Sequence, residues 1–409
     1  SSKAPPYPLS CAEMTVYWNT EGPARLRVVG GHEGHVQPGS LNVLALSADA
    51  STAAIASGQA LEVFDLRTGA PSFSTAKGKL VQAALQVSRD GGVLLGFAGI
   101  SDRIRRVVSY TRGPKGYRAA RLELALAVGP ATRTGEPNLA LAPDGARGVT
   151  VQKTDALVFD TTRGHVLRTI PLGTLARRGG PTPSGSWRLA RDGRLWTVHL
   201  TDGGSELVCR ALDTGDVLTT RRFDRQVVIE DESAGGRLAL LAPRSLWAQT
   251  DPHATAIVVD AAGDELARVD ATDGALRFAG EQRLWNIPAR TLTLFALAHE
   301  SARRLDLAGG PPLAMPGPAA LTRVTRHPRP ALAILGDTLL VSDGRSLWEL
   351  EPSGAIRAVH VCGALAEPAR DVHLEHAGDR VLLVADRDGA IRSGASTEPC
   401  TVVTVFAAG

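Results

Sequence analysis

The chain has 409 residues, 44% hydrophobic and 21% charged, the composition of a packed globule rather than a disordered or collagen-like chain. Its net charge of +3 balances 45 basic against 42 acidic residues, and the basic ones are scattered, whereas a phosphate-gripping surface gathers them on one face. No nucleic-acid partner is expected, and no apolar run nears the roughly 18 residues of a membrane helix, so no membrane insertion is expected.

In chain order, Ser1-Ser2-Lys3-Ala4-Pro5-Pro6 is polar and holds no signal core. A serine start fits a cytoplasmic protein after removal of the initiator Met, and equally a chain whose signal has been cut away. Residues 1–23 read as an N-terminal extension, with a short apolar run at Met14–Trp18, and residues 24–409 as one domain. Ala24–Val29 reads as a strand with no local partner.

From there a unit recurs. Leu41–Leu46 is followed by the turn Ser47-Ala48-Asp49, a run to Gly58, then Leu61–Asp65 and the turn Leu66–Gly69. The second unit carries Ser88-Arg89-Asp90-Gly91 and an insertion, Arg112 to Tyr117. The third repeats the first closely: Asn138–Leu141, Ala142-Pro143-Asp144-Gly145, Gly148–Val151, Ala156–Asp160 and Thr161–Gly164. Ala190-Arg191-Asp192-Gly193, Ser233-Ala234-Gly235, Ala279-Gly280, His327-Pro328 and Ala377-Gly378 mark the later units. The eight markers lie 41 to 54 residues apart, close to the roughly 40–50 residues of a four-stranded propeller blade. The runs are four to six residues of branched apolar side chains between Asp/Gly turns, as strands are, and no capped helical period appears.

Gly34-His35, Ser47-Ala48-Asp49, Ala56-Ser57-Gly58 and Phe64-Asp65 resemble the landmarks of a WD-repeat blade. The chain is therefore similar to the WD-repeat or YVTN-like β-propeller superfamily. The resemblance implies an all-β propeller of about eight four-stranded blades, seven being the alternative. The alternative turns on residues 311–350, where Ala331–Leu335 and Thr338–Ser342 read as one strand or two. The last unit is one strand short, so Ala24–Val29 is expected to pair with the C-terminal strands and close the ring, with Met14–Trp18 reinforcing that seam. An open edge would otherwise invite aggregation. Of four cysteines, Cys11 and Cys400 or Cys362 and Cys400 could staple it.

No residue set carries catalysis or a metal. His32-Glu33-Gly34-His35 lacks the helical spacing of a zinc protease, and His360 with Cys362, or His373 with Glu375 and His376, offer too few convergent ligands. There is no Gly-x-Ser-x-Gly elbow and no phosphate-cradling loop, so no cofactor is expected. What remains is surface. Arg105, Arg106, Arg112, Tyr117, Arg177, Arg178, Trp187, Arg221 and Arg222 are of the types enriched at protein–protein hot spots. These observations point to a non-catalytic scaffold holding a protein partner by one propeller face. The competing expectations are a hydrolase or lyase with Asp231, Glu232, His373 and Glu375 in a central funnel, and a ligand sensor at the cell envelope.

Overall fold

The computed structural model describes residues 15–16, 26–34, 41–57, 60–75, 83–99, 104–114, 116–127, 139–152, 154–175, 186–243, 253–272, 274–288, 303–308, 313–314, 331–342, 346–351, 356–361, 372–387 and 400–408. Every regular element among them is a β-strand, and the strands form eight sheets.

Blade 1 holds Leu41–Leu46, Thr52–Ser57, Ala60–Asp65 and Pro71–Ser74; blade 2 holds Ala83–Val87, Val93–Gly99, Ile104–Gly113 and Gly116–Ala127. Blade 3 holds Leu139–Leu141, Arg147–Gln152, Asp155–Asp160 and Val166–Pro171; blade 4 holds Trp187–Leu189, Leu195–Thr201, Gly204–Arg210 and Val217–Phe223. Blade 5 follows with Val228–Glu232, Leu238–Pro243, His253–Val259 and Glu265–Thr272, and blade 6 with Gly274–Phe278, Arg283–Pro288, Arg303–Asp306 and Leu313–Ala314. Blade 7 holds Ala331–Leu335, Thr338–Ser342, Ser346–Leu350 and Ile356–Val361, and blade 8 Val372–Ala377, Arg380–Arg387 and Cys400–Ala408. Each is an antiparallel meander, and the first strands of successive blades approach one another, placing them around the centre.

The sequence of each middle strand explains its place. Side chains alternate between the two faces of a strand, and here both faces are apolar. In blade 8, Val381 and Leu383 pack towards blade 7 with Leu340 and Leu347. Leu382 and Val384 pack towards blade 1 with Ala53, Ile55 and Phe64. The same holds at each of the eight blade junctions, every one filled by its own apolar cluster. The core is therefore eight slabs between blades, and this is why the strands read as continuous apolar runs rather than alternating ones. Cys209 is fully buried in the slab between blades 4 and 5, where burial pushes its thiol up to about 11 and leaves it an inert apolar filler.

Closure follows the expected route. Leu26–Gly34 pairs antiparallel with Cys400–Ala408, from Leu26 opposite Ala408 to Gly34 opposite Thr401, and supplies the fourth strand of blade 8. The run around Met14–Trp18 acts elsewhere than expected. Thr15 and Val16 pair with His360 and Val359, adding a fifth strand to blade 7, the neighbour of the seam. Residues 331–342 are two strands turning at Gly336 and Asp337, so the count is eight. The His327-Pro328 marker lies outside the described residues, as do Cys11, Cys362 and His35.

A buried polar latch spans the seam. Glu349, on the third strand of blade 7, is fully buried and accepts from the backbone N–H of Leu26 at 2.9 Å and from His360 Nε2 at 2.6 Å. The His360 ring meets Phe406 of the last strand edge-on at 5.4 Å between centroids. One carboxylate thus holds the entry of the closing strand against the neighbouring blade. Removing one member of such a buried pair strands the other, a loss of about 3–5 kcal/mol. Glu349→Ala is expected to lower unfolding free energy by about that much in urea denaturation, and Glu349→Gln, which keeps an acceptor for Leu26, by clearly less. Equal losses would show that the latch is packing alone.

Candidate functional site

The strand order fixes which connections share a face. Turns between first and second strands, and between third and fourth, lie on one side of the ring, the turn face. Second–third turns and the links between blades lie on the other, the loop face. The recurrent aspartates belong to the turn face and cap their own turns. Asp49 accepts from the N–H of Ser51, Asp90 from Gly92, Asp144 from Ala146 and Asp192 from Arg194. In the third–fourth turns, Asp160 accepts from the N–H groups of Thr162, Arg163 and His165, and Asp260 from those of Ala262 and Asp264.

Arginines entering the second strands link these turns from blade to blade. Arg147 of blade 3 reaches Asp213 of blade 4. Arg194 of blade 4 donates to Ala261 O of blade 5 at 2.6 Å, and Arg237 of blade 5 to Glu281 O of blade 6 at 2.6 Å. Arg283 of blade 6 reaches Asp337 of blade 7 at 2.5 Å. Between blades 1 and 2 the link runs backwards: Arg112 donates to Thr52 Oγ1 at 2.7 Å and to the Tyr117 hydroxyl, which itself donates to Gly91 O. Gly91, at φ +68°, has no room for a side chain, since a Cβ there would sit 2.2 Å from Thr52 Oγ1.

Inside the turn face lies the mouth of the central channel. Two residues before each turn's leading Ser or Ala, the first strands present Ala45, Gln86, Ala140, Arg188, Asp231, Arg277 and, in blade 8, Glu375, all at least partly open to solvent. The level is neutral on blades 1–3 and charged on blades 4, 5, 6 and 8. Arg188 pairs with Asp231 at 3.5 Å and with buried Glu232 at 3.4 Å. Asp231 also accepts from the N–H of Phe278 at 2.9 Å, joining blades 4, 5 and 6. A register shift between Ile229 and Asp231 re-aims the strand here, and both adjacent carboxylates meet Arg188.

Glu375 and His376 are exposed, near the end of the first strand of blade 8. Desolvation by the surrounding protein pushes the Glu375 carboxyl up, against the pull of Arg277. The same burial pushes the His376 imidazole down; Asp231 opposes that, while Arg191 and Arg277 add to it. Blade 8 therefore lies within electrostatic reach of blades 4, 5 and 6. Burial also raises Glu232, opposed by the Arg191 N–H and Arg188. Of the four funnel residues expected, the structure brings Asp231 and Glu375 to the mouth and commits Glu232 to Arg188 and Arg191. His373 lies on the same strand as Glu375, the first of blade 8. Among the described residues no three His, Cys, Asp or Glu side chains converge to hold a metal.

The surface residues singled out in the sequence do not form one patch. Arg112 and Tyr117 lie at the turn face, where Tyr117 is buried and both serve the link described above. Arg105 and Arg106 start the third strand of blade 2, Trp187 starts the first strand of blade 4, and Arg221 and Arg222 end its fourth, all towards the loop face. Trp187 packs partly buried against the slab between blades 3 and 4. Arg222 pairs with Glu206 at 3.1 Å and Arg221 with Asp264 at 3.9 Å. Arg177 and Arg178 lie outside the described residues.

Sequence reasoning missed the turn-face rim. Val166, Leu167, Val217, Leu218 and Leu266 are 46–57% exposed and sit at matching positions just after the third–fourth turns of blades 3, 4 and 5. The signal was present as Gly164-His165-Val166-Leu167, Gly215-Asp216-Val217-Leu218 and Gly263-Asp264-Glu265-Leu266, but only the sheet order shows these strands to be outermost. Among the described residues the one other exposed large apolar side chain is Leu200, at the loop-face end of blade 4.

No family model and no curated protein matches the chain. Solved structures do resemble it. BamB from Moraxella catarrhalis is 11% identical, with a TM-score of 0.50 over 94% of this chain and 98% of that one. The Cps50 (Swd1) β-propeller domain of Myceliophteria thermophila is 14% identical, with a TM-score of 0.45 over 91% and 98%. A eukaryotic initiation factor is 10% identical, with a TM-score of 0.46 over 78% and 88%. At these identities the likeness speaks for the fold alone.

The turn face has a predictable acid response. Burial works against the Asp160 carboxylate, but the hydrogen bonds from Thr162, Arg163 and His165 outweigh it and hold the group at about 2. A carboxyl lowered on folding stabilises the native state above its unfolded pKa near 3.8, and that share is lost as pH falls towards about 2. The site is partly exposed, so screening keeps the share to about 1 kcal/mol. Asp160→Asn is expected to lower the urea midpoint at pH 7, with the gap to wild type closing between about pH 4 and pH 2. A gap independent of pH would place the effect in shape rather than charge.

Proposed function

We propose that this propeller is a non-catalytic protein-binding scaffold that holds its partner on the turn face across blades 3 to 5. The observation that carries the reading is the rim. Exposed leucines and valines scattered singly mean little, but a register-matched group on three consecutive blades is the kind of surface that partners cover. The turns behind it are tied down by capping aspartates and by the Arg147 and Arg194 links, so the surface is preformed and binding spends little ordering entropy. The solved structure of BamB resembles this fold, and no function is carried over from it.

A hydrolase or lyase working in the channel is the second reading, and the displaced titrations of Glu375 and His376 favour it. It is the weaker one, because Glu232 and Asp231, the nearest carboxylates, are already bonded to Arg188 and to backbone N–H groups.

Affinity capture from the source organism, with chemical cross-linking read by mass spectrometry, tests the two. The expected result is one partner in stoichiometric yield, cross-linked to turn-face residues of blades 3 to 5. Leu167→Asp with Leu218→Asp is expected to weaken its recovery at least tenfold while leaving the melting temperature within a few degrees, since both side chains are already in water. Cross-links confined to the loop face near Arg105, Arg106, Arg221 and Arg222 would move the interface to the other side. No partner, together with turnover in a hydrolase screen that Glu375→Gln abolishes, would replace the scaffold by an enzyme.

A further inference from the structure

The guanidinium groups of three arginines around the channel mouth make no ion pair with a carboxylate within 4.0 Å among the described residues. Arg89 lies in the first turn of blade 2, Arg191 at the equivalent place in blade 4, and Arg277 near the end of the first strand of blade 6. All three are exposed. They contrast with the arginines just outside them: Arg147, Arg194, Arg237 and Arg283 each meet an acid or a carbonyl of the next blade. Arg277 is positioned rather than floppy, its Nη1 donating to Glu230 O at 3.0 Å and to Leu276 O at 2.9 Å, which leaves its remaining donors for something else. Arg191 and Arg277 both act electrostatically on the same imidazole, His376, so they border one space. Three guanidinium groups without a direct carboxylate partner, exposed on alternate blades around the opening, form a positive surface that an anion would complete.

We propose that the turn-face mouth of the channel is a receptor for an acidic peptide segment, whose carboxylates are taken by Arg89, Arg191 and Arg277. Arginine suits this role because its planar fork takes a carboxylate with two parallel hydrogen bonds. The mouth is mixed in character, and this selects among anions. Glu375 and Asp231 stand beside the arginines as acceptors, a poor setting for a compact polyphosphate. An extended peptide suits it, because its N–H groups meet the acceptors while its side chains meet the cations. The spacing agrees, since the three arginines lie on every second blade around the opening rather than converging on one point. The inference rests on the turn face being the binding face, for the rim on blades 3 to 5 and Arg191 of blade 4 lie on the same side. A partner seated on the rim would deliver its acidic segment inward.

The test uses the full chain and an end-capped, fluorescein-labelled hexaglutamate, read by fluorescence anisotropy against the matching hexaglutamine. Hexaglutamate is expected to bind and hexaglutamine not, with affinity falling steeply as salt rises. The double variant Arg191→Gln, Arg277→Gln is expected to lose at least tenfold, and adding Arg89→Gln to abolish binding. Arg277→Lys is expected to keep most of the affinity, and Arg222→Gln, on the outer wall, all of it. Thermal melts of each variant separate lost binding from lost fold. Equal binding of the two peptides, or undiminished affinity in the folded double variant, would overturn the proposal. So would tight binding of inositol hexakisphosphate through the same arginines with none of hexaglutamate, which would make the mouth a polyphosphate site. Rim cross-links to the partner that persist in the double variant, alongside a hexaglutamate failure, would sink this inference and leave the scaffold reading standing.

Discussion

The rest of the structure depends on closing the ring. The second strand of each blade is apolar on both faces, so a blade can bury its residues only between two neighbours, and eight junctions exist only if blade 8 meets blade 1. An open array would leave Ala53, Ile55 and Phe64 on one end and Leu382, Val384, Val403 and Val405 on the other in water. Burial is worth roughly 25 cal/mol per Å² of apolar surface, so losing one slab would remove a large share of a marginal stability. The chain meets this constraint by splitting blade 8 between its ends. The segment that completes it is then fastened twice: by the ladder from Leu26 to Gly34, and by the buried Glu349 that accepts from Leu26 and from His360 of blade 7.

Arginine has a second, local part in holding the ring. In the sequence the basic residues are scattered, with no cluster to mark a site. The fold turns part of that scatter into order. Arg147, Arg194, Arg237 and Arg283 recur at the entry to second strands, each spanning to the next blade. A lysine ammonium there would lack the fork that lets Arg194 hold Asp192 and Ala261 O together. These pairs are partly exposed and each is worth little alone. Repeated around the ring, they fix the turns that make up one face.

How much of this was legible follows from the range of the physics involved. Turns, strands and closure are local or terminal properties, and Asp-Gly between apolar runs carries them. The turn signal weakens where local residues depart from type. Blade 7 turns on two residues, Gly336 and Asp337, without the Ser-x-Asp-Gly spelling. Blade 1 places Ala50 at φ +56°, where other units use the glycine that such a conformation favours, so its turn reads as a weak marker. The extra strand at Thr15 and Val16 pairs with blade 7 rather than with the seam, a choice set by which outer edge lies nearest, and that is a three-dimensional fact. The hot-spot residues chosen by type went to both faces, because type says nothing of direction.

The channel mouth was the least legible part, for a reason built into repeat proteins. Its members, Arg188, Arg191, Asp231, Arg277, Glu375 and His376, lie up to about 190 residues apart in sequence and share only their nearness to the first turns of their blades. In a ring of equivalent units, one offset becomes one level of the channel, so a site is assembled by differences among repeats rather than by any motif within one. Blades 1 to 3 put Ala45, Gln86 and Ala140 at that level, and blades 4, 5, 6 and 8 put charge there. Buried charge is costly unless paired, and a ring that needed only to close would fill the level with alanine throughout, as its first and third blades do. That half the ring instead carries ionisable groups, some paired across blades and some left open towards the mouth, is the mark of a surface shaped for something beyond holding the propeller together.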